Sequence, residues 1–325
     1  MLTVQGIMET NSSNFTFPAC LYSPLKHGYE TEYFWISGVI LVIIAIFGLL
    51  GNVMTITVLC QPQMRGRLFY SLLLALACYD TLFILSYGVS VSYKSVACYP
   101  LNNLVDYLAY PFLNMTWLCS ICMTITISME RYLGICHPNS HLSRKAWMFI
   151  LPVILISMGY TFPKFFERKW SNGTFERPDV EKNKLYVHSY HLWAEVICIT
   201  MVPLASLLFL NGSIIVTIFK TTKGATQLRK THNKQGANTT KILFWIVLIF
   251  LVLHSPRVVF KFLFYFGPEK TTWYWIRPIA KLALITNSSV NFLIYCMVGK
   301  NFRTELFKLL RMFRSGSKGS GKTNV

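Results

Sequence analysis

The sequence predicts an all-α membrane protein, a seven-transmembrane helix bundle followed by a short amphipathic helix. Of the 325 residues, 53% are hydrophobic and only 14% are charged, with a mean hydropathy of +0.44. Soluble domains carry roughly 25% charged residues. The apolar residues form seven runs of about 20 residues, the length that crosses a bilayer. Most of the net charge of +18 lies on one side of those runs.

Seven long runs with few charges define the predicted spans, at residues 34–60, 67–93, 107–136, 147–164, 190–219, 240–266 and 275–298. The predicted organisation is an extracellular N-terminus at 1–33, the bundle at 34–298, a membrane-surface helix at 299–313 and a flexible cytoplasmic tail at 314–325. The segments outside the bundle are shorter than the roughly 40 residues below which a domain usually needs a disulfide or metal to fold. We therefore expect the function to reside in or beside the bundle.

Basic residues set the predicted orientation, because Lys and Arg in short loops resist translocation. With the N-terminus outside, 18 of the 31 Lys and Arg residues lie on the cytoplasmic side, where Glu130 and Glu305 are the only acids. We expect a multi-pass plasma-membrane protein whose charge follows from its topology and implies no nucleic-acid partner. Glycosylation motifs at Asn11, Asn14 and Asn172 fall on the predicted outer side, as N-glycosylation requires.

Two further patterns concern the segments that flank the spans. Of the nine cysteines, only Cys20 and Cys98 are predicted to face the oxidising side. The sequence fits a disulfide between them and two separate thiols equally well. Residues 300–313 alternate apolar and basic side chains, which predicts a basic amphipathic helix lying on the inner leaflet of the lipid bilayer.

Polar side chains within the spans are candidate functional groups, because an ionisable group in lipid costs a few kcal/mol. Asp80 is the clearest case, and other mid-span polar residues are Ser120, Asn287, Ser288 and Asn291. With water, these oxygens could coordinate one Na⁺ ion, the one cofactor the sequence suggests. The alternative is a protonated Asp80 in a hydrogen-bonded network between helices.

Short motifs occur in order along the spans: Gly51–Asn52, LAxxD ending at Asp80, ERY at 130–132, Pro203, Pro256 and NFLIY at 291–295. Together they resemble the signature of rhodopsin-like (class A) G-protein-coupled receptors. Longer strings, TFPKFFE at 161–167, KNKLY at 182–186, HSPR at 254–257 and NSSVNFLIYCMVGKNFR at 287–303, are similar to invertebrate receptors for FMRFamide-like neuropeptides.

The resemblance implies a non-enzymatic cell-surface receptor that binds an extracellular neuropeptide and activates a heterotrimeric G protein, with arrestin as a further possible partner. Glu130 would hold Arg131 when the receptor is inactive, and prolines would permit kinks. The residues implied in activation and coupling are Glu130, Arg131, Tyr132, Pro203, Phe250, His254, Pro256 and Tyr295.

The chain also departs from the class pattern. The usual Cys near Asp106 and its partner in the loop 165–187 are absent, which makes Cys20–Cys98 a possible substitute disulfide. His254 stands where relatives carry Trp, and Asn211 where they carry Tyr. Phe292 replaces a proline, so we expect less distortion of the last helix there.

Candidate ligand-binding residues are outer-half side chains on the inward faces of the third, fifth, sixth and seventh spans. They are Asp106, Tyr110, Asn114, Trp117, Trp193, Glu195, Arg257, Lys261 and Lys281. Glu195, Asp106 and Trp117 suit the guanidinium and ring of an amidated Arg-Phe peptide. The three cations suit an acidic peptide or small molecule equally well. For each aromatic residue, helix packing is the other explanation.

Other classes of membrane protein fit the sequence less well. A seven-helix transporter is a remote alternative, because no internal repeat relates the unequal spans. Lys281 suggests an opsin, but the lysine that binds retinal in opsin-like receptors lies about one turn deeper, where this chain has Ile285. An intramembrane enzyme would need a motif such as HExxH or GxSxG, and neither occurs.

Overall fold

A computed structural model describes residues 34–96, 101–137, 145–167, 169–171, 174–176, 183–223, 227–266 and 272–319. The predicted glycosylation sites Asn11, Asn14 and Asn172 and the cysteines Cys20 and Cys98 lie outside these residues. The backbone of Asp106 is described, but its side chain is not.

The described chain is mostly helical, with a small hairpin between the fourth and fifth spans. The helices are α1 (Leu41–Leu59), α2 (Leu68–Val96), α3 (Leu101–Cys136), α4 (Trp147–Thr161), α5 (Val202–Lys223), α6 (Gln227–Phe266), α7 (Thr272–Ser289), α8 (Asn291–Val298) and α9 (Lys300–Gly319). Phe34–Ile40 precedes α1 as a π-helix, and Lys184–Tyr186 and a π-helix at Val187–Met201 lead into α5. Strands β1 (Lys169–Ser171) and β2 (Thr174–Glu176) pair antiparallel.

Among the described residues, six helical stretches are long and apolar enough to cross a bilayer, and the bent pair α7–α8 supplies the seventh. The predicted seven-helix fold is therefore confirmed. Large apolar side chains on the bundle surface are exposed, such as Leu50, Ile156 and Phe209 at about 60%. This exposure is expected where lipid replaces water around the protein.

The last span does not follow the prediction made from Phe292. Its two halves, Pro278–Ser289 and Asn291–Val298, are bent by 43°, so the expectation of less distortion there is wrong. The carbonyl oxygen of Ser288 accepts a hydrogen bond of 3.0 Å from Asn52 Nδ2 in α1. A proline at position 292 would leave this same carbonyl without its helical hydrogen bond. Here the carbonyl is instead engaged by a side chain of a neighbouring helix, at the point where the span bends.

Helix α3 lies at the centre of the bundle and packs against α2, α4, α5 and α6. Helix α1 approaches both halves of the last span, α7 and α8, closely because it presents glycine at each contact. A Cβ atom on Gly48 would lie 2.1 Å from Ser289 Oγ, and one on Gly51 would lie 2.9 Å from Phe292 Cβ. Small residues permit such close helix contacts in membranes.

Helix α9 follows Gly299 and packs back on the bundle through buried Phe302, Leu306 and Leu309. Its exposed side carries Phe307 and Lys308. The amphipathic helix predicted for 299–313 therefore forms, and it continues six residues further, to Gly319.

Candidate ligand site and polar core

At one end of the bundle, two cations from α6 meet one carboxylate from the π-helical part of the fifth span. Glu195 Oε1 accepts hydrogen bonds from Arg257 Nε at 2.9 Å and Nη2 at 2.5 Å. Glu195 Oε2 lies 2.7 Å from Lys261 Nζ. Arg257 and Lys261 share one face of α6 because they are four residues apart. We call these three residues the ion triad.

An aromatic stack lies beneath the ion triad. The guanidinium carbon of Arg257 lies 4.1 Å from the ring centroid of Trp117 in α3. The ring of His254 lies 6.5 Å from Trp117, nearly parallel to it, and 3.8 Å from that of Phe250. His254 Nδ1 pairs with the carbonyl of Phe250, while its buried Nε2 has no hydrogen-bond partner among the described residues. The triad therefore rests on aromatic side chains of α3 and α6.

A second carboxylate, Glu167, lies at the same end, just after α4. Glu167 Oε1 accepts a 2.9 Å hydrogen bond from Tyr186 and lies 3.1 Å from His191 Nε2. Burial raises the pKa of Glu167, but the hydrogen bond from His191 and the charge of Lys164 outweigh it, so the net pKa lies below its usual range. The His191 carbonyl accepts a 3.2 Å hydrogen bond from Lys261, which joins this cluster to the ion triad.

Lys164 and two tyrosines lie beside Glu167. Lys164 Nζ is 3.4 Å from the hydroxyl of Tyr110 and stands 5.2 Å and 5.5 Å from the ring centroids of Tyr110 and Tyr190. The hydroxyl of Tyr190 donates to the carbonyl of Tyr160 at the end of α4. These contacts connect α3, α4 and the fifth span at the end of the bundle where the class disulfide is missing from the sequence.

A separate polar core lies in the middle of the bundle around Asp80, whose side chain is fully buried. Ser120 Oγ donates to Asp80 Oδ1 at 2.6 Å, and Asn291 Nδ2 donates to Oδ2 at 2.7 Å. Ser288 also lies within hydrogen-bonding reach, whereas Asn287 makes no hydrogen bond to Asp80 in the described chain. A carboxylate with two hydroxyls fits a hard cation such as Na⁺ in its chemistry.

At the other end of the bundle, Arg131 is held on two sides. Its Nε and Nη2 atoms donate to the two oxygens of Glu130 at 2.5 Å and 2.7 Å. Its guanidinium carbon lies 4.4 Å from the ring centroid of Phe69 in α2. We call this the Arg131 end and the opposite one the Glu195 end.

Comparison with known proteins decides the family. A family model described as "7 transmembrane receptor (rhodopsin family)" matches residues 51–295. The chain belongs to the rhodopsin family of seven-transmembrane receptors. Members of this family are receptors and not enzymes, as the motifs predict.

The receptor resembles curated proteins from insects, nematodes and mammals. It is 27% identical over 309 residues to an FMRFamide receptor of Drosophila melanogaster, and the aligned region covers 87% of this chain and 55% of that receptor. It is 25% identical over 300 residues to an FMRFamide peptide receptor of Caenorhabditis elegans, covering 83% and 68%. It is 24% identical over 290 residues to a B1 bradykinin receptor of Canis lupus familiaris, covering 84% and 81%. The chain thus spans about half the length of the Drosophila receptor.

The structure brings several of the predicted ligand residues into direct contact. Trp117, Glu195, Arg257 and Lys261 form one contact group, and Tyr110 joins the neighbouring cluster. The other predicted residues have different surroundings. Asn114 is buried and donates to the Tyr110 carbonyl at 2.7 Å, Trp193 is 46% exposed, and Lys281 is half-buried in α7.

The residues implied in activation occupy both halves of the receptor. Pro203 is the second residue of α5, Pro256 lies within α6 beside Arg257, and Asn211 donates to Ser128 Oγ at 3.3 Å. Tyr132 contacts His137 and Phe209, and the buried Tyr295 packs against Phe302.

Sequence reasoning missed the cluster around Glu167 and the ring under Arg131. The strings TFPKFFE and KNKLY, which carry the family resemblance, contain Lys164, Glu167 and Tyr186, so a signal existed. Phe69 gives no signal in the sequence, because an aromatic residue at a helix end is more often explained by packing.

Proposed function

We propose that this receptor binds an extracellular neuropeptide, an amidated FMRFamide-like peptide, and activates a heterotrimeric G protein. Two relatives named as FMRFamide receptors each match more than four fifths of the chain. In this proposal the Glu195 end faces outside with the N-terminus, and the Arg131 end and the C-terminus face the cytoplasm. The excess of basic residues around the Arg131 end supports that orientation.

The observation that carries the ligand site is the ion triad, with its buried carboxylate and partly exposed cations, on the aromatic stack. A charged group within the membrane is costly and is usually retained for function. Glu195, Arg257 and Lys261 have side chains only 8–22% exposed, and the buried ring of Trp117 lies directly beneath Arg257. A short peptide with charged and aromatic side chains is best matched by charged and aromatic groups that lie together.

Coupling to the G protein would run through α6. A ligand that moves Arg257 changes the guanidinium contact with Trp117, which lies against His254. Pro256 lies between His254 and Arg257, where the backbone can kink. An agonist would bind one arrangement of α6 more tightly and shift the population toward it.

At the other end, release of Arg131 from Glu130 would expose its guanidinium to the G protein. A Na⁺ ion at Asp80 would favour the arrangement in which the helices stay closed around it. Arrestin is a possible second partner at the cytoplasmic face, and α9 would lie along the inner leaflet of the bilayer.

The test is G-protein activation in cells that express the full chain with an N-terminal epitope tag. A panel of amidated Arg-Phe peptides is applied while dissociation of each G-protein class is recorded. We expect submicromolar activation by at least one peptide and its loss in Arg131→Ala at equal surface expression. Antibody staining of unpermeabilised cells tests the orientation. Silence across the panel with surface expression verified would refute the ligand, and solute uptake without nucleotide exchange would refute the receptor function.

A further inference from the structure

Counted over the described side chains, the ion triad has a surplus of both positive charge and hydrogen-bond donors. Two cations, Arg257 and Lys261, face a single carboxylate, and Lys164 is close enough to Glu195 to interact with it electrostatically. Both oxygens of Glu195 already accept hydrogen bonds or an ion pair from α6. Three of the roughly four acceptor sites of the carboxylate are thus in use, and two cations already balance its single charge, so a further cation from a ligand would gain little there.

The donors of the triad are only partly used within the described chain. Arg257 engages two of its five N–H groups with Glu195, and Lys261 engages two of its three with Glu195 and the carbonyl of His191. The side chains of Arg257 and Lys261 remain 22% and 17% exposed, against 8% for Glu195. The cations are therefore more accessible from the site than the carboxylate is.

Resting on the proposed function, we propose that the ligand presents a carboxylate to Arg257 and Lys261, and that Glu195 is their internal counter-ion. A carboxylate accepts charge-assisted hydrogen bonds from both cations and neutralises the excess charge. The carboxylate comes either from an acidic side chain of an amidated peptide or from a free C-terminus. In both cases the ligand's own arginine binds elsewhere than Glu195.

In the opposite assignment, Glu195 binds the ligand's guanidinium. The two assignments predict opposite effects of Arg257→Gln on the potency of the ligand. If Glu195 received the ligand's arginine, Arg257 would be its competitor, so Arg257→Gln would raise potency. If Arg257 binds the ligand's carboxylate, the same substitution lowers potency. The substitution keeps a polar side chain, shorter than arginine, while removing the charge.

The experiment compares pairs of synthetic peptides that differ in one group on wild-type receptor and variants. One pair is Phe-Met-Arg-Phe as free acid and as amide, and another is Asp-Phe-Met-Arg-Phe-amide and its Asn counterpart. A third replaces arginine by the neutral citrulline. We expect one of the carboxylate peptides to exceed its neutral partner by roughly ten-fold or more in potency, since hydrogen bonds to charged groups are the strong ones.

The higher potency of the carboxylate peptide over its neutral partner should vanish in Arg257→Gln. It should persist in the control Arg311→Gln, because the Arg311 side chain is exposed on α9. The pair that responds identifies the source of the carboxylate. The proposal is overturned if the citrulline replacement costs potency on wild type but none on Glu195→Gln, or if Arg257→Gln raises the potency of arginine peptides.

A ligand-independent arm separates this proposal from the proposed function. The thermal unfolding of purified receptor is followed in sodium glutarate, a small dicarboxylate, against sodium chloride of equal ionic strength. Glutarate should raise the Tm of wild type but not of Arg257→Gln, because a ligand that binds only the folded state stabilises it. An equal shift in both proteins would overturn the proposal even if no peptide activates the receptor.

The counter-ion role of Glu195 is tested in the same preparation. Glu195→Gln should lower the Tm, because it leaves two partly buried cations without their counter-ion, and the double variant with Arg257→Gln should recover part of the loss. The comparison variant is Glu305→Gln, which removes the partner of a single cation, Lys308, whose side chain is 54% exposed, so water can replace the lost carboxylate. A Tm for Glu195→Gln equal to that of wild type would contradict the assignment.

Discussion

The contact between Arg131 and Phe69 predicts that the ring restrains basal signalling. The guanidinium carbon lies 4.4 Å from the ring centroid, and Phe69 is 5% exposed. A cation over an aromatic face gains about 0.5–2 kcal/mol, less where water reaches it. The Arg131 side chain is 23% exposed, so we take roughly 1 kcal/mol, which corresponds to about a five-fold change in an equilibrium.

Phe69→Leu removes the ring while keeping an apolar side chain at the contact. If release of Arg131 from its held position limits activation, basal G-protein activation should rise by about three- to five-fold. The assay is the binding of a non-hydrolysable GTP analogue to membranes at matched receptor density without ligand. The same substitution should have no effect when Arg131 is already Ala.

The control is Phe69→Tyr, which retains an aromatic face and should leave basal activation unchanged. Leucine also leaves a small void, and a cost to folding would appear as lower surface expression. An equal rise in Phe69→Tyr and Phe69→Leu, or no rise in either at full expression, would refute the role of the ring.

Three further predictions concern other parts of the bundle. Gly48→Ala should destabilise the receptor by about 1–3 kcal/mol, because its Cβ would lie 2.1 Å from Ser289 Oγ. Gly212→Ala, which meets nothing within 4 Å, should be neutral or stabilising by up to about 1 kcal/mol, and equal melting temperatures for the two variants would contradict this. Sodium should lower basal nucleotide exchange relative to N-methylglucamine at equal ionic strength in wild type and not in Asp80→Asn, so a sodium effect that survives the substitution places the ion elsewhere. The pKa of Glu167 is lower in the folded receptor than in the unfolded chain. The ionised Glu167 therefore stabilises the folded receptor above the unfolded pKa of about 4.3, and this contribution is lost as the pH falls through the lower folded pKa. The Tm difference between wild type and Glu167→Gln should therefore shrink as the pH falls below about 4.3. A difference that does not change with pH would contradict a stabilising role for the charge of Glu167.

The sequence predicts the spans, their order and the composition of the polar core because each depends only on residue types and their positions along the chain. The length of an apolar run gives a span. The cost of a carboxylate in lipid marks Asp80, and its hydrogen bonds to Ser120 and Asn291 agree with the predicted set. The ERY motif similarly places Glu130 next to Arg131 for a local ion pair.

Contacts between helices could not be predicted in the same way. The periodicity of a helix gives its polar face but not its rotation or height against a neighbour, which side-chain packing decides. Glu195, Arg257 and Lys261 were each predicted as ligand residues, yet their pairing with one another depends on how the fifth span and α6 meet. The bend between α7 and α8 is of the same kind, because it accompanies a hydrogen bond from Asn52 in α1.

The ion triad is better explained by binding than by stability. A buried ion pair recovers in Coulomb energy little more than its desolvation cost, and an apolar set of similar volume often stabilises a protein as well or better. A second cation on the same carboxylate adds desolvation cost without adding a counter-charge. Arg257 also lies one residue from Pro256 and against Trp117, where a change in its partner bears directly on the shape of α6. A ligand carboxylate would balance the second cation of the triad, and it would do so next to the proline at which α6 can kink.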